Sequence, residues 1–150
     1  MITGLSHTGL VVRDMKKMID FYHDTFGFQK VLETTVSGKE TDDIVNFHLE
    51  QEIIVLMQLG EMQIEMLEYR PRGRSYPDDY KSNDSFGVHL AFKTDDIERD
   101  FAMLKEKGVK IISKGPQTIP KEHPIFAGTK VLYFLDPEGH PLELIQIPQQ

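Results

Sequence analysis

Two stretches with the same layout decide the fold: "LSHTGLVVRD" (residues 5–14) and "GVHLAFKTDD" (residues 87–96). In both, a single histidine, His7 or His89, stands in a short run of aliphatic and β-branched residues, and an aspartate follows seven positions later. Such runs are typical of β-strands, and an aspartate before an amphipathic segment is typical of a helix N-cap. The duplication predicts an internal repeat in which the two histidines occupy equivalent places.

The same order of elements follows each stretch. Apolar residues then recur every three or four positions, which predicts a helix that ends at a glycine, Gly27 in the first half and Gly108 in the second. Three more strands complete each half. The predicted strands cover 7–12, 28–36, 53–59 and 62–69, then 86–94, 109–115, 129–135 and 140–147. The sequence therefore predicts two modules, each with the order strand, helix and three strands.

The module boundaries follow from composition. We expect one domain, 1–150, with a first module over about 1–69, a polar linker over about 70–85 and a second module over about 86–150. Residues 37–52 fit either a helix or a strand, and "DDIVNFHLEQ" within them favours a short helical turn.

Composition excludes several classes of function. The net charge of the 150 residues is −7, without a clustered basic patch, so we expect no nucleic-acid partner. No cysteine is present, which excludes disulfides, thiolate metal sites and cysteine nucleophiles. The N-terminus does not resemble a signal peptide, and the longest apolar run, 53–57, is too short to span a membrane. A cytoplasmic protein with no membrane partner is the expectation.

Four polar residues stand on the strand faces that the large apolar residues leave free. Side chains alternate along a strand, so His7, His89, Glu65 and Glu143 each point away from their apolar neighbours. Each residue alone is unremarkable, because a lone histidine is usually hydrogen-bonded in a core and a lone glutamate usually faces solvent. Their agreement across the repeat is what indicates a site. Two imidazoles and two carboxylates suit one divalent metal such as Zn, Ni, Co, Fe or Mn.

At these residues the chain resembles the vicinal oxygen chelate superfamily, which includes glyoxalase I, methylmalonyl-CoA epimerase, extradiol dioxygenases and the fosfomycin and bleomycin resistance proteins. The resemblance covers nearly the whole chain. It implies an α+β fold in which two tandem βαβββ modules form a cupped mixed sheet around the metal, with helices on the outer face. It also implies His7, Glu65, His89 and Glu143 as the metal ligands. The matching pieces are "LSHTGLVVRDMKKMIDFYHDTFGF", "MQIEMLEY", "GVHLAFKTDDIERDFAMLKEKGV" and, most specific, "FLDPEGHPLEL".

The full set of two histidines and two glutamates looks most like glyoxalase I. The epimerase commonly has glutamine at the Glu65 position, the dioxygenases lack that carboxylate, and drug-binding resistance proteins typically lack the ligands. One departure concerns the substrate: glutathione-dependent glyoxalases often have arginine where this chain has Val11. The epimerase's separate acid/base glutamate falls in a segment without a clear match, which contains Glu40, Glu50 and Glu52.

The resemblance implies a metal-dependent lyase or isomerase that removes a proton next to a metal-chelated carbonyl or hemithioacetal. Glu143 is the implied base, and Glu65 is a second base or a plain ligand. The implied partners are a small-molecule substrate, such as a thiol adduct or an acyl-CoA, and a second copy of the chain in a homodimer. Whether one chain or two supply each metal site stays open. So do three other functions: a methylmalonyl-CoA-type epimerase, an Fe(II) extradiol-type dioxygenase and a non-catalytic small-ligand binding protein.

Overall fold

The computed structural model of the chain describes residue 1 and residues 4–81, 83–85 and 87–148. The chain forms two compact units, Met1–Ser75 and Tyr76–Gln150. Each unit has a helix packed on a four-stranded mixed sheet, in the order strand, helix and three strands. The α+β fold with tandem βαβββ modules is therefore confirmed, with one extra short helix in the first unit.

The first unit contains a sheet with strand order β1-β4-β3-β2. Strand β1 is parallel to β4, and the other neighbours are antiparallel. A tight turn at Gly60, where φ is +59°, joins the antiparallel strands β3 and β4. The elements are β1 (Thr8–Val11), α1 (Met15–Phe26), β2 (Gln29–Val36), α2 (Lys39–Val45), β3 (Gln51–Leu59) and β4 (Met62–Arg70).

Helix α1 begins and ends where the sequence predicts. The carboxylate of Asp14 accepts the Lys17 N–H at 3.0 Å, and Gly27 ends the helix in a left-handed conformation with φ of +82°. The helix buries one stripe of side chains against the sheet. That stripe includes Met15, Met18 and Tyr22, and Ile64 and Met66 of β4 are also fully buried in this unit.

The second unit repeats this plan with a sheet of order β5-β8-β7-β6. Strand β5 is parallel to β8, and Asp96 caps the helix by accepting the Arg99 N–H at 3.0 Å. The buried side chains of this unit include Phe92, Ile97, Leu104, Leu132 and Phe134. The elements are β5 (Leu90–Lys93), α3 (Ile97–Glu106), β6 (Gln117–Thr118), β7 (Lys130–Leu135) and β8 (Pro141–Gln146).

One predicted strand is wrong. Residues 109–115 do not form a strand, and only Ile111 makes an isolated bridge, to Phe134. The N–H groups of Ile112 and Ser113 both donate to the carbonyl of Tyr133 in β7, which breaks the alternation that a ladder needs. The strand that pairs with the edge of β7 is instead the two-residue β6.

The undecided segment between β2 and β3 is helical. Helix α2 occupies Lys39–Val45, slightly earlier than the predicted turn, and β3 begins at Gln51. The predicted strand over 86–94 is shorter than expected, and its residue 86 lies outside the described residues. The predicted linker, 70–85, contains the division between the two units. No helix among the described residues is long and apolar enough to cross a membrane.

Candidate functional site

The first unit brings His7 and Glu65 into contact. Glu65 stands in the middle of β4, directly across from Gly9 of β1, and His7 precedes Gly9 by two residues on the same side. The Nε2 atom of His7 lies 3.1 Å from Oε2 of Glu65. The Oγ atom of Ser6 lies 3.2 Å from Nδ1 of the same ring. The imidazole is therefore held at both nitrogens, with Nε2 directed at the carboxylate.

The second unit builds the same pair from equivalent positions. Glu143 of β8 stands across from Ala91 of β5, and His89 precedes Ala91 by two residues. The Nε2 atom of His89 lies 3.1 Å from Oε2 of Glu143. A parallel pairing of the first and last strands of each unit thus turns residues more than fifty positions apart into neighbours.

The two histidines are less buried than the apolar runs around them indicate. His7 and His89 each precede the first residue of their strand, and their side chains are 40% and 46% exposed. The predicted strands that include these histidines therefore start earlier than the observed ones, which begin at Thr8 and Leu90. Because each histidine lies just before its strand, solvent still reaches the ring. Both rings are thus accessible from solvent.

The geometry of each pair fits two ligands of one divalent metal. Metal–nitrogen and metal–oxygen bonds of about 2.1 Å place neighbouring ligand atoms roughly 3.0 Å apart in an octahedral site and roughly 3.4 Å apart in a tetrahedral one. The observed 3.1 Å lies in this range and is also an ordinary hydrogen-bond length. Each unit thus presents one nitrogen and one oxygen donor. Within the described part of the chain, no group of three or more His, Asp or Glu side chains gathers as a potential metal site.

A tyrosine distinguishes the second pair from the first. Tyr133 of β7 stands across from Glu143, hydrogen-bonds to its carboxylate and packs its ring edge-on against His89, with 5.3 Å between the ring centroids. Burial raises the pKa of Tyr133 to about 12, and the Glu143 charge and hydrogen bond add to the effect. Leu56 takes the corresponding place across from Glu65. Accordingly, the Glu143 side chain is only 10% exposed, against 27% for Glu65.

A second carboxylate–tyrosine pair lies on the Glu65 side of the first sheet. Glu52 of β3 stands across from Tyr69 of β4 and hydrogen-bonds to its hydroxyl. Glu52 is buried, and the Tyr69 ring packs edge-on against Phe47, with 6.0 Å between centroids. The pKa of Tyr69 is raised to about 12, mainly by burial. The charge and hydrogen bond of Glu52, and then the charge of Glu65, raise it further. The phenol therefore stays protonated and donates to Glu52 at neutral pH.

Sequence reasoning missed both tyrosines and left Glu52 unassigned. Tyr69 carries a readable signal, because it follows Glu65 by four residues on one strand and therefore shares its face. Tyr133 and Glu52 carry none, because they reach their partners only through the cross-strand register.

Two charged side chains near the end of β4 belong to the structure rather than to this site. Arg70 and Arg72 form ion pairs with Glu68, which lies on the opposite face of β4 from Glu65. His140 closes the turn before β8, with Nδ1 2.6 Å from Oδ2 of Asp136, in keeping with the turn role that its place in "DPEGH" indicates.

Comparison with known proteins gives one family. The profile of the Glyoxalase/Bleomycin resistance protein/Dioxygenase superfamily matches residues 4–144. Among curated proteins, a 2-epi-5-epi-valiolone epimerase from an Actinomyces species is 28% identical over 154 aligned residues, which cover 97% of this chain and 80% of that protein.

Solved structures share the fold. A glyoxalase family protein from Bacillus cereus superposes with a TM-score of 0.82 at 16% identity and covers 99% of this chain and 97% of its own. The fosfomycin resistance protein FosX from Listeria monocytogenes, crystallised with Mn(II) and sulfate, superposes with a TM-score of 0.63 at 19% identity, covering 99% of this chain and 95% of its own. Likeness at these identities shows the fold alone.

Proposed function

The chain belongs to the Glyoxalase/Bleomycin resistance protein/Dioxygenase superfamily, and from this premise we propose that it is a metal-dependent isomerase or lyase. The proposed reaction removes a proton from a carbon next to a carbonyl group, or from the carbon of a hemithioacetal, and returns a proton to the opposite face of that carbon (epimerisation) or to its neighbour (isomerisation). The proposed metal ligands are His7 with Glu65 in the first unit and His89 with Glu143 in the second. Epimerisation is the favoured outcome, because the epimerase relative aligns with nearly all of this chain.

The observation that carries the proposal is the duplicated contact. In each unit a histidine Nε2 faces a glutamate Oε2 at 3.1 Å, although the two residues come from opposite ends of the unit. A single pair of this kind is an ordinary hydrogen bond. Two pairs at equivalent positions, with donor types that Zn, Ni, Co, Fe and Mn all accept, support a metal-binding role.

Bound there, a divalent metal supplies Lewis-acid stabilisation of the negative charge that develops on the substrate oxygen. The chain supplies the proton acceptor. We assign that role to Glu143, because His89 and Tyr133 orient its carboxylate from two sides. Tyr133 keeps its own proton, since its pKa is about 12, so it acts as a hydrogen-bond donor and not as a base. Glu65, more exposed and held by His7, is the second base or a plain ligand.

Metal content is the first experiment. We expect the purified protein to contain divalent metal by elemental analysis, and His7→Ala and His89→Ala each to lose it. The matched controls are His23→Ala and His140→Ala, which remove a histidine of the same unit outside the proposed ligand set. Metal retained by both ligand variants, or lost equally in the controls, contradicts the assignment.

Proton exchange is the second experiment. The metal-loaded protein is placed in deuterium oxide with three substrate types: methylglyoxal plus a thiol, methylmalonyl-CoA and a polyhydroxylated cyclic ketone. We expect deuterium to enter next to the carbonyl of at least one of them. Glu143→Gln should abolish exchange, and Glu65→Gln should reduce it less. Absence of exchange with every substrate and every metal favours a binding protein, and oxygen uptake with catechols instead favours a dioxygenase.

A further inference from the structure

Glu52 is a buried carboxylate to which the proposed proton transfer assigns no role. It is 7% exposed, and its partner is the neutral hydroxyl of Tyr69. None of the ion pairs formed among the described residues includes Glu52. A buried carboxylate without a cationic partner costs free energy, and one phenol hydrogen bond satisfies only part of its capacity as an acceptor.

The position of Glu52 relates it to the proposed metal ligand of the same unit. Across β3 and β4, Leu56 faces Glu65, Ile54 faces Leu67 and Glu52 faces Tyr69, so both carboxylates lie on one face of the sheet. Four residues along a strand span roughly 13 Å. Tyr69 lies on this face as well, and after burial and Glu52 the charge of Glu65 also raises the pKa of its hydroxyl. Glu52, Tyr69 and the proposed ligand Glu65 therefore share one face of the first sheet.

The repeat provides an internal control for a structural role. When the two units are aligned at Glu65 and Glu143, Thr129 of the second unit corresponds to Glu52 of the first. In the same alignment, Ile147 corresponds to Tyr69. The second unit forms its sheet without either group. The fold therefore does not require the carboxylate–phenol pair, and its presence in the first unit calls for a different explanation.

We propose that Glu52 and Tyr69 form a subsite that binds the hydroxyl groups of a neutral polyhydroxylated carbonyl substrate. The inference rests on the proposed function and names its substrate class. An ionised carboxylate accepts hydrogen bonds from hydroxyl donors, and such bonds to a charged group are stronger than those to a neutral one. The same charge repels phosphate, phosphonate and other anionic groups. Tyr69 holds the carboxylate in place, and Phe47 supports the Tyr69 ring.

The test compares two ketones that share the same chelating end. Both 2-hydroxycyclohexanone and an inosose, a pentahydroxycyclohexanone, present a ketone beside a hydroxyl, and only the inosose adds hydroxyls around the ring. Their affinities for the purified protein are measured by ligand-observed NMR. We expect the wild type to bind the inosose about tenfold more tightly. In Glu52→Gln that ratio should fall below about threefold, whereas Glu50→Gln, a nearby exposed carboxylate, should keep it.

The ratio of affinities separates this inference from the proposed function. Loss of the metal should weaken the binding of both ketones equally and leave the ratio of their affinities unchanged. If neither ketone exchanges protons, the proposed function is refuted but the subsite is not. A wild type without preference for the inosose overturns the subsite, and so does a Glu52→Gln variant with an unchanged ratio. A variant that slows proton exchange but keeps the ratio also overturns it, because Glu52 then carries protons. If Glu52→Gln fails to fold, Glu52→Thr, the residue of the second unit, replaces it.

Discussion

Substitution of Glu68 by glutamine separates a charge effect from a hydrogen bond at the base of helix α1. The Glu68 side chain is 5% exposed, and its Oε2 accepts the backbone N–H of Met15 at 2.9 Å. Its Oε1 pairs with Arg70 and, at 3.2 Å, with Arg72. The second unit uses a glutamine for the same purpose: Oε1 of Gln146 accepts the N–H of Ile97, the first residue of α3, at 3.0 Å. Glu68→Gln therefore keeps the backbone contact and removes only the ion pairs.

The expected loss is about 2 kcal/mol of unfolding free energy. Hydrogen bonds to charged groups contribute about 1.5–3 kcal/mol, and the two arginines are partly exposed, which places the value in the lower half of this range. For a chain of this length the loss corresponds to about 4–8 °C in Tm. The matched control is Glu33→Gln, which breaks an exposed pair between Lys30 and Glu33 at 2.6 Å, and it should change stability by less than about 0.5 kcal/mol.

The pH dependence of the loss tests its electrostatic origin. Burial alone raises the pKa of Glu68, but the Met15 N–H and the Arg70 and Arg72 guanidinium groups outweigh burial, and the pKa lies below its ordinary value of 4.5. A lowered pKa in the folded state adds stability above the unfolded-state pKa, and the addition disappears as the pH falls through the folded value. The difference between wild type and Glu68→Gln should thus be complete at neutral pH and vanish in acid.

Urea denaturation of both proteins over a pH series measures this difference. A variant as stable as the wild type at neutral pH would refute the reasoning, because it would show that the ion pairs add nothing. A stability difference between wild type and Glu68→Gln that persists at low pH would also refute the reasoning. It would show that glutamine disturbs the packing, because at low pH there is no carboxylate charge to remove. Equal losses in Glu68→Gln and Glu33→Gln would show that burial of the carboxylate is irrelevant.

Three further predictions follow from single contacts. Tyr69 and Tyr133 should ionise near pH 12. The stability that their raised pKa values add is therefore present below pH 10 and is lost as the pH rises toward 12. In an ultraviolet titration, either Tyr→Phe variant should lack one of the late ionisation steps. Gly27→Ala should cost about 1 kcal/mol, because φ at Gly27 is +82°, although no atom lies within 4 Å of the added methyl. Asp14→Ala and Asp96→Ala should each cost about 1 kcal/mol by loss of an N-cap, and similar urea midpoints for the two variants would support the equivalence of the units.

The repeat explains why much of the fold could be predicted from the sequence. Strand and helix periods are local properties, so "MKKMIDFYHDTF" between an aspartate cap and a glycine stop predicts α1 in the right place. Two copies of one pattern then support each other, and the His7–Glu65 and His89–Glu143 contacts follow once the first and last strands of each unit are paired.

The failures have a different physical origin. The segment 109–115 has the composition of a strand, yet the tertiary structure places two successive N–H groups on one carbonyl, and no local pattern records that. The contacts of Tyr133 with Glu143 and of Glu52 with Tyr69 depend on the register between strands. Register is determined by turns and by packing on the other face of the sheet, so it is a property of the folded unit and not of any short stretch.

The two units agree at the four proposed ligands and differ in what surrounds them. A metal requires only the right donor atoms at the right spacing, and both units supply a nitrogen and an oxygen at 3.1 Å. Around these equal pairs, the second unit covers its glutamate with Tyr133, while the first leaves Leu56 there and places Glu52 and Tyr69 further along the same face. We infer a division of work in which the second unit orients the proton acceptor and the first unit selects the substrate. This inference separates two outcomes. Substitution of Tyr133 should alter the proton-exchange rate of every ketone, whereas substitution of Glu52 should alter only the relative affinities for the ketones.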